Sequence, residues 1–302
     1  MARKNVKHHK IPATYLHGFT DSNGQVWISD KTFNIYPGRP ESVLSESDYY
    51  TIRFPTGGGT LAVETEYLKG IEGNFTTLYK KKIKNREPID QSTKAELSIF
   101  VASMLERQPS QRTSLEKFFN DVREKDEHLK ALSPEAKKRF AQFASITQGN
   151  GIPAEDFLEM GKDIGSLHTS MIPEGVQFLA PIIFDMKWAF LIRKHSDCSY
   201  FMTSDHPCTL MNPFLEAEYG TNVMGSLPGF IQKDVELTIP LSSEIVLFCG
   251  WNLAHDCLYI PIDEDNIGQM NYRSRRGATV VISSDKAALE LLVEKASRNI
   301  RK

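Results

Sequence analysis

The sequence predicts an α+β fold, in which N-terminal and C-terminal strands share one mixed sheet beside a central helical block. Three observations predict it. Residues 11–58 read as short strands and turns, residues 61–185 show helical periodicity, and residues 186–302 return to short β-rich segments between turn residues. We therefore expect residues 1–58 and 186–302 to form a sheet region, residues 61–185 to form a helical region, and the whole chain to be a single unit.

The first half offers one clear strand and one clear helix. The turn at residues 21–24 precedes a strand at 24–29, and the glycines at 57–59 break the chain before the periodicity changes. A capping box, Thr93-x-x-Glu96, then opens a helix that Pro109 ends. Its apolar positions recur with helical spacing: Leu97, Phe100, Val101, Met104 and Leu105.

The remaining elements follow from shorter signals. Ser133 and Pro134 can open a further helix, and another is expected across 153–165. Ser284 is expected to cap a terminal helix at 285–299. Five β-rich runs predict strands at 188–192, 200–202, 235–239, 245–248 and 278–282.

Composition limits the class of protein. The 302 residues are 40% hydrophobic and 25% charged, with a net charge of −2, so no whole-molecule attraction to nucleic acid or membrane is expected. No stretch approaches the roughly 20 apolar residues of a spanning helix. The four cysteines form no C-x-x-C pair, which predicts free thiols and a cytoplasmic location.

Local charge is less even than the total. Basic residues dominate the first ten positions, and residues 80–86 form a second basic run that includes Lys81 and Lys82. Each run alone is typical of a solvated tail or helix face. If the two meet in space, they would attract phosphate, so RNA or DNA is a candidate partner.

Two short motifs place ionisable side chains beside a proline, one at residues 8–16 and one at residues 200–207. They belong to a series resembling a widespread microbial family, domain-of-unknown-function family 4238. The series runs nearly end to end: His9-x-x-Pro12-x-x-Tyr15-Leu16, Ile71-Glu72-Gly73, Glu106-Arg107-x-Pro109-x-x-Arg112, Thr203-Ser204-Asp205-x-Pro207 and Ile239-Pro240-Leu241-Ser242. The resemblance implies one family unit and brings no settled activity.

The candidate site residues in the first half each have a structural alternative. His8 and His9 point to opposite faces of an extended segment, and His9 is preferred because it holds the family-like position. His9 could equally bond buried backbone, and Glu72 could be an exposed helical acid. Arg107 and Arg112 flank a helix end, where they could pair with acids or grip a phosphate.

The turn at Ser204, Asp205 and His206 allows three interpretations. Its side chains could bond nearby amides and shape the turn. Alternatively, Asp205 could join His9 and Glu72 as metal ligands or as an acid–base set, a ligand mixture that suits Mg²⁺ or Mn²⁺. A covalent role for Ser204 lacks a nucleophile elbow or triad context.

These observations predict a metal-dependent phosphodiester hydrolase, namely a nuclease of defence or toxin type. His9, Glu72 and Asp205 would hold the metal, and Arg107 and Arg112 would complete the catalytic set. Substrate would be bound by Lys81, Lys82, Ser204 and His206. The alternative is a non-enzymatic module that binds a protein or nucleic acid, and a protein regulator is a further expected partner.

Overall fold

The computed structural model describes residues 7–54, 56–131, 133–134, 158–194, 199–219 and 229–300. Among these, the strands form two main sheets, and both sheets share one hydrophobic core with the helical layer. The α+β class predicted from the sequence is confirmed.

The smaller sheet joins the two ends of the chain. Its strands are β2 (Val26–Asp30), β3 (Ile35–Gly38), β8 (Thr203–Ser204) and β13 (Val280–Ser283). Their order in the sheet is β3, β2, β13, β8, and all the pairings are antiparallel. In the centre, Ile282 lies opposite Ile28 on one side and Thr203 on the other. The expected pairing of N-terminal with C-terminal strands is therefore present.

The larger sheet comes from the second half alone, so the chain builds two main sheets and not one. Its strands are β7 (Lys187–Arg193), β9 (Thr209–Met211), β10 (Glu236–Ser242), β11 (Ile245–Gly250) and β12 (Leu258–Ile262). Their order in the sheet is β12, β7, β11, β10, β9, and only the β12–β7 pairing is parallel. Two short pairs complete the described strands: β1 (Lys7–His9) with β4 (Ser45–Ser47), and β5 (Ile52–Arg53) with β6 (Gly59–Thr60).

The helical layer begins with one continuous helix that changes its winding twice. A π turn at Val63–Leu68 leads into α2 (Lys69–Leu78), which ends in a second π turn at Tyr79–Ile83. The other α-helices are α1 (Ala13–Leu16), α3 (Gln91–Glu106), α4 (Pro109–Ala131), α5 (Ile164–Asp185), α6 (Pro213–Tyr219), α7 (Glu264–Arg275) and α8 (Lys286–Ile300).

The predicted helix around Leu97 is confirmed as α3, but its cap is different. Asp90, and not Thr93, is the N-cap residue, because its carboxylate accepts the Thr93 backbone N–H at 2.8 Å. Likewise Asp285 caps the last helix by accepting the Ala287 N–H at 2.9 Å, while Ser284 does not.

Three other sequence predictions have mixed outcomes. The run 200–202 is not a strand; the strand begins at Thr203, because Met202 donates its N–H to the Asn271 side chain instead of to a neighbouring strand. The helices predicted from residue 133 and across 153–165 lie mainly outside the described residues. Cys208, Cys249 and Cys257 are free, as expected, and Cys198 lies outside the described residues.

The N-terminal motif is bound into the core between both sheets and the helices. The Tyr15 hydroxyl donates to the Pro240 carbonyl at 2.6 Å and lies 2.7 Å from the Thr203 hydroxyl. Helices α2 and α3 meet behind it through a parallel stack of Phe75 on Phe100. In the part of the chain that is described, no helix is long and apolar enough to cross a membrane.

Candidate functional site

A buried arginine joins three segments of the chain. Arg107, the residue that ends α3, is 1% exposed. It donates to the Glu72 carboxylate at 2.5 Å, to the His9 carbonyl at 2.8 Å and to the Tyr50 hydroxyl at 3.1 Å. The planar guanidinium suits this role because its donors point in several fixed directions. Helix α2, strand β1 and the turn before β5 are therefore tied to one side chain.

The electrostatics around Arg107 keep it charged despite its burial. Burial alone would lower the pKa of this guanidinium, but Tyr50, Glu72 and Glu64 outweigh that effect and raise it above the usual value. In turn, burial raises the pKa of Tyr50 to about 12, so the phenol is neutral at physiological pH. One fixed positive charge thus lies next to two carboxylates.

Glu64 is the second carboxylate near Arg107, and its position depends on the π turn in which it lies. Eight residues of regular α-helix would leave Glu64 and Glu72 about 80° apart around the axis. The wider π turn at Val63–Leu68 reduces that angle, and Glu64 interacts electrostatically with Arg107, Glu72 and His9. Burial raises the pKa of Glu64, and its buried Oε2 atom has no hydrogen-bond partner among the described residues.

His8, and not His9, carries the imidazole that points inward. His8 is 1% exposed, and its Nδ1 accepts the Tyr50 backbone N–H at 2.8 Å. Its ring stacks near that of Tyr50, with 6.0 Å between centroids. Because Nδ1 is an acceptor, the neutral ring carries its proton on Nε2, a buried atom with no partner in the described chain. Burial also lowers the pKa of His8.

The His9 ring lies on the other side of the strand. Its Nε2 is 2.8 Å from the Glu41 carbonyl, and its contact with Arg107 is made by the backbone. The expectation that neighbouring histidines face opposite ways is confirmed. We use the name Arg107 cluster for the six residues His8, His9, Tyr50, Glu64, Glu72 and Arg107.

Arg112 lies beside this cluster. Its guanidinium stacks over the Tyr49 ring at 3.7 Å and donates to the Tyr49 carbonyl at 2.7 Å. Tyr49 and Tyr50 pack edge to face, with 4.9 Å between centroids. Each of the two predicted arginines therefore has one tyrosine of this pair as its partner.

The Asp205 turn is held by other residues. Asp205 is 7% exposed and accepts the backbone N–H groups of Thr279 at 2.9 Å and Val280 at 3.1 Å, as well as the Thr279 hydroxyl. Ser204 accepts the His206 N–H at 3.0 Å. These bonds connect the end of β8 to the start of β13, which is the turn-shaping role.

The structure does not assemble the predicted metal set. Asp205 shares no hydrogen bond or ion pair with His9 or Glu72 in the described ranges. Within those ranges, no group of three or more His, Cys, Asp or Glu side chains is placed to hold a metal ion. The reason is geometric: the carboxylate of Asp205 is engaged by β13, while Glu72 faces Arg107.

The basic run ends the helix that carries Glu64 and Glu72. Lys81 is exposed, whereas Lys82 forms an ion pair with Asp90 at 2.5 Å, which also caps α3. Lys82 is therefore engaged in joining the second π turn to the start of α3.

Sequence reasoning missed His8, Tyr50 and Glu64. The signal for Glu64 was weak, because residues eight apart lie about 80° from each other around a regular helix, at the edges of a common face. Tyr50 gave no chemical signal of its own beyond its place in an aromatic pair. His8 was set aside only because His9 held the family-like position.

One comparison with known proteins extends this picture. The family model described as "Protein of unknown function (DUF4238)" matches residues 7–287, which include the whole Arg107 cluster and the Asp205 turn. No curated protein and no solved structure matches. The match covers nearly the full length, so the chain belongs to the DUF4238 family.

Proposed function

We propose that this protein is a phosphodiester hydrolase of the nuclease class whose site is the Arg107 cluster. The observation that carries the proposal is Glu64, a carboxylate whose pKa is raised by burial and whose Oε2 has no partner in the described chain. A perturbed carboxylate beside a fixed cation is a candidate for acid–base chemistry. The identity of the site thus differs from the sequence hypothesis, which placed Asp205 there.

The two carboxylates have different surroundings, which suits them to different roles. Glu64 retains its proton to higher pH than usual and is suited to protonate a leaving oxygen. Glu72 uses one oxygen to accept from Arg107, leaving its second oxygen to accept a proton from the attacking water. Arg107 positions Glu72 and provides positive charge near the transition state.

A divalent cation fits this arrangement as an additional component. Mg²⁺ is commonly held by one or two carboxylates together with water and substrate phosphate. With the cation bound, Glu64 and Glu72 would both be ionised and would hold Mg²⁺ or Mn²⁺, and the cation would polarise a phosphoryl oxygen in place of the proton that Glu64 supplies without it. The metal dependence is therefore kept as a separate arm of the test.

The experiment compares cleavage of labelled single-stranded and double-stranded RNA and DNA, each with Mg²⁺, with Mn²⁺ and with a chelator. Glu64→Gln and Glu72→Gln should each lower the rate at least about 100-fold. Glu66→Gln is the matched control, because Glu66 is an exposed glutamate of the same π turn. Activity equal to wild type in Glu64→Gln, with unchanged melting, would reject the assignment.

A second candidate is a non-enzymatic module that binds a protein or nucleic acid. The observation that favours it is that Arg107 and Asp205 both make hydrogen bonds that hold chain segments together. Under this alternative no substrate of the panel is cleaved, while gel-shift or pull-down experiments detect a complex that neither Glu64→Gln nor Glu72→Gln weakens.

The cellular setting is part of the proposal. We infer a cytoplasmic protein from the free cysteines, and a defence or toxin role from the nuclease chemistry. RNA or DNA is then the substrate, and a protein regulator would restrain it. Growth arrest on expression of wild type but not of Glu72→Gln would support the role; equal growth of both would count against it.

A further inference from the structure

A serine and a histidine meet outside the Arg107 cluster. The Ser110 hydroxyl lies 3.1 Å from Nδ1 of His206, although 96 residues separate them in the sequence. Both residues are half-buried, so the pair is shielded but still reaches solvent. Their distance is that of a nucleophile and its base in a serine hydrolase.

Both partners are fixed by neighbouring contacts. On one side, the backbone N–H of His206 donates to the Ser204 hydroxyl at 3.0 Å, and the adjoining Asp205 is bound to β13. On the other side, Ser110 follows Gln108, whose side-chain amide donates to the Cys208 carbonyl at 2.8 Å. The Gln108–Cys208 bond thus holds the start of α4 against the turn after β8, two residues away from Ser110 on one side and from His206 on the other.

The orientation of Ser110 is informative because a serine in the first turn of a helix usually bonds local backbone. Here the hydroxyl faces an imidazole from a distant strand end. If the hydroxyl donates, Nδ1 of His206 accepts and the ring proton lies on Nε2. This is the tautomer in which His206 can take a proton from the serine.

We propose that Ser110 and His206 form a nucleophilic pair that reacts with activated acyl or phosphoryl esters. The Ser110 oxygen attacks the ester carbon or phosphorus as His206 Nδ1 takes the hydroxyl proton. The bond to the leaving alcohol breaks, and that alcohol takes the proton from His206. His206 then takes a proton from water, and the hydroxide attacks the carbon or phosphorus of the covalent ester. The bond from that atom to the Ser110 oxygen breaks, the acid is released, and His206 returns the proton to the Ser110 oxygen. The step needs no residue of the Arg107 cluster.

The test is covalent labelling of the full-length protein with an alkyl fluorophosphonate, followed by peptide mass spectrometry. Attack by Ser110 would form an oxygen–phosphorus bond and release fluoride, with the serine proton passing to His206. One adduct on the peptide that contains Ser110 is expected. His206→Gln should slow its formation about 100-fold.

Ser114→Ala is the matched control, because Ser114 lies one turn further along α4 and is exposed. It should label like wild type, whereas Ser110→Ala should not label. Absence of an adduct on wild-type protein, or equal labelling of Ser110→Ala, would overturn the proposal without relying on any variant's stability. Nuclease activity should be unchanged in Ser110→Ala, which separates this test from that of the Arg107 cluster.

Discussion

Replacing Arg107 with lysine should lower the free energy of unfolding by about 2–4 kcal/mol. The guanidinium donates to three acceptors in different directions: the Glu72 carboxylate, the His9 carbonyl and the Tyr50 hydroxyl. A lysine ammonium is a single point and cannot reach all three. Each lost hydrogen bond that involves a charged group costs about 1.5–3 kcal/mol. Lysine retains the positive charge, which avoids the larger cost of leaving the carboxylates unpaired.

The measurement is equilibrium unfolding in urea, with the midpoint and slope compared between variants. Arg39→Lys is the control, because Arg39 is exposed, and surface changes of this kind usually stay within about 0.5 kcal/mol. If Arg107→Lys unfolds at the same urea concentration as Arg39→Lys, the three bonds do not hold the segments together, and the reasoning is wrong.

Further predictions concern the turn, the glycines and pH. The side-chain oxygen in Asp205→Asn can still accept the backbone N–H groups, so the free energy of unfolding in urea should fall by only about 1 kcal/mol and nucleic-acid cleavage should be unchanged. A large loss of cleavage at unchanged stability would show that the Asp205 carboxylate takes part in catalysis. Gly70→Ala has free space on α2 and should raise the free energy of unfolding by about 0.5–1 kcal/mol. Gly161→Ala would drive its methyl group into the Phe119 ring and should lower the free energy of unfolding by about 1–3 kcal/mol; thermal melting measures both changes. Burial lowers the pKa of His168 from 6.5 to about 4, so the unfolded chain binds the proton at a higher pH than the folded chain does. The free energy of unfolding should therefore fall by up to about 3 kcal/mol as the pH drops from about 6.5 to 4. Urea unfolding at a series of pH values measures this fall, and His168→Gln should reduce it.

Local pattern predicted the elements whose own residues decide their structure. The apolar spacing around Leu97 was sufficient for α3, and the β-rich runs were sufficient for β7, β10 and β11. What the pattern could not provide is which strands pair. The C-terminal strands divide between two sheets, because β13 pairs with the N-terminal β2 while β8 pairs with β13, and pairing over such distances leaves no local signal.

The cap and turn residues show the limit of motif matching. Thr93-x-x-Glu96 fits a capping box, yet Asp90 occupies the cap three residues earlier and also pairs with Lys82. A match to a short pattern identifies a residue type that can cap, and tertiary contacts then select the residue that does. The same holds for Asp205, where the turn-shaping alternative describes the observed bonds.

Glu64 explains why the candidate site could be predicted only in part. Glu72 and Arg107 were recognised from their positions in the sequence. Glu64 is the third charged residue, and its place beside them depends on a π turn that apolar periodicity does not predict. Such turns lose regular i→i+4 bonding and are often found at functional sites, where the altered winding brings a side chain into position. Here it brings a second carboxylate towards a buried guanidinium. If that winding serves to align the two carboxylates, deleting the exposed Thr65 should retain cleavage, because regular winding then places Glu64 and Glu72 seven residues and about 20° apart on one face. Glu64→Ala should abolish cleavage, while an alanine at Glu66 should leave it intact, and loss of cleavage in a folded Thr65 deletion variant would refute the alignment argument.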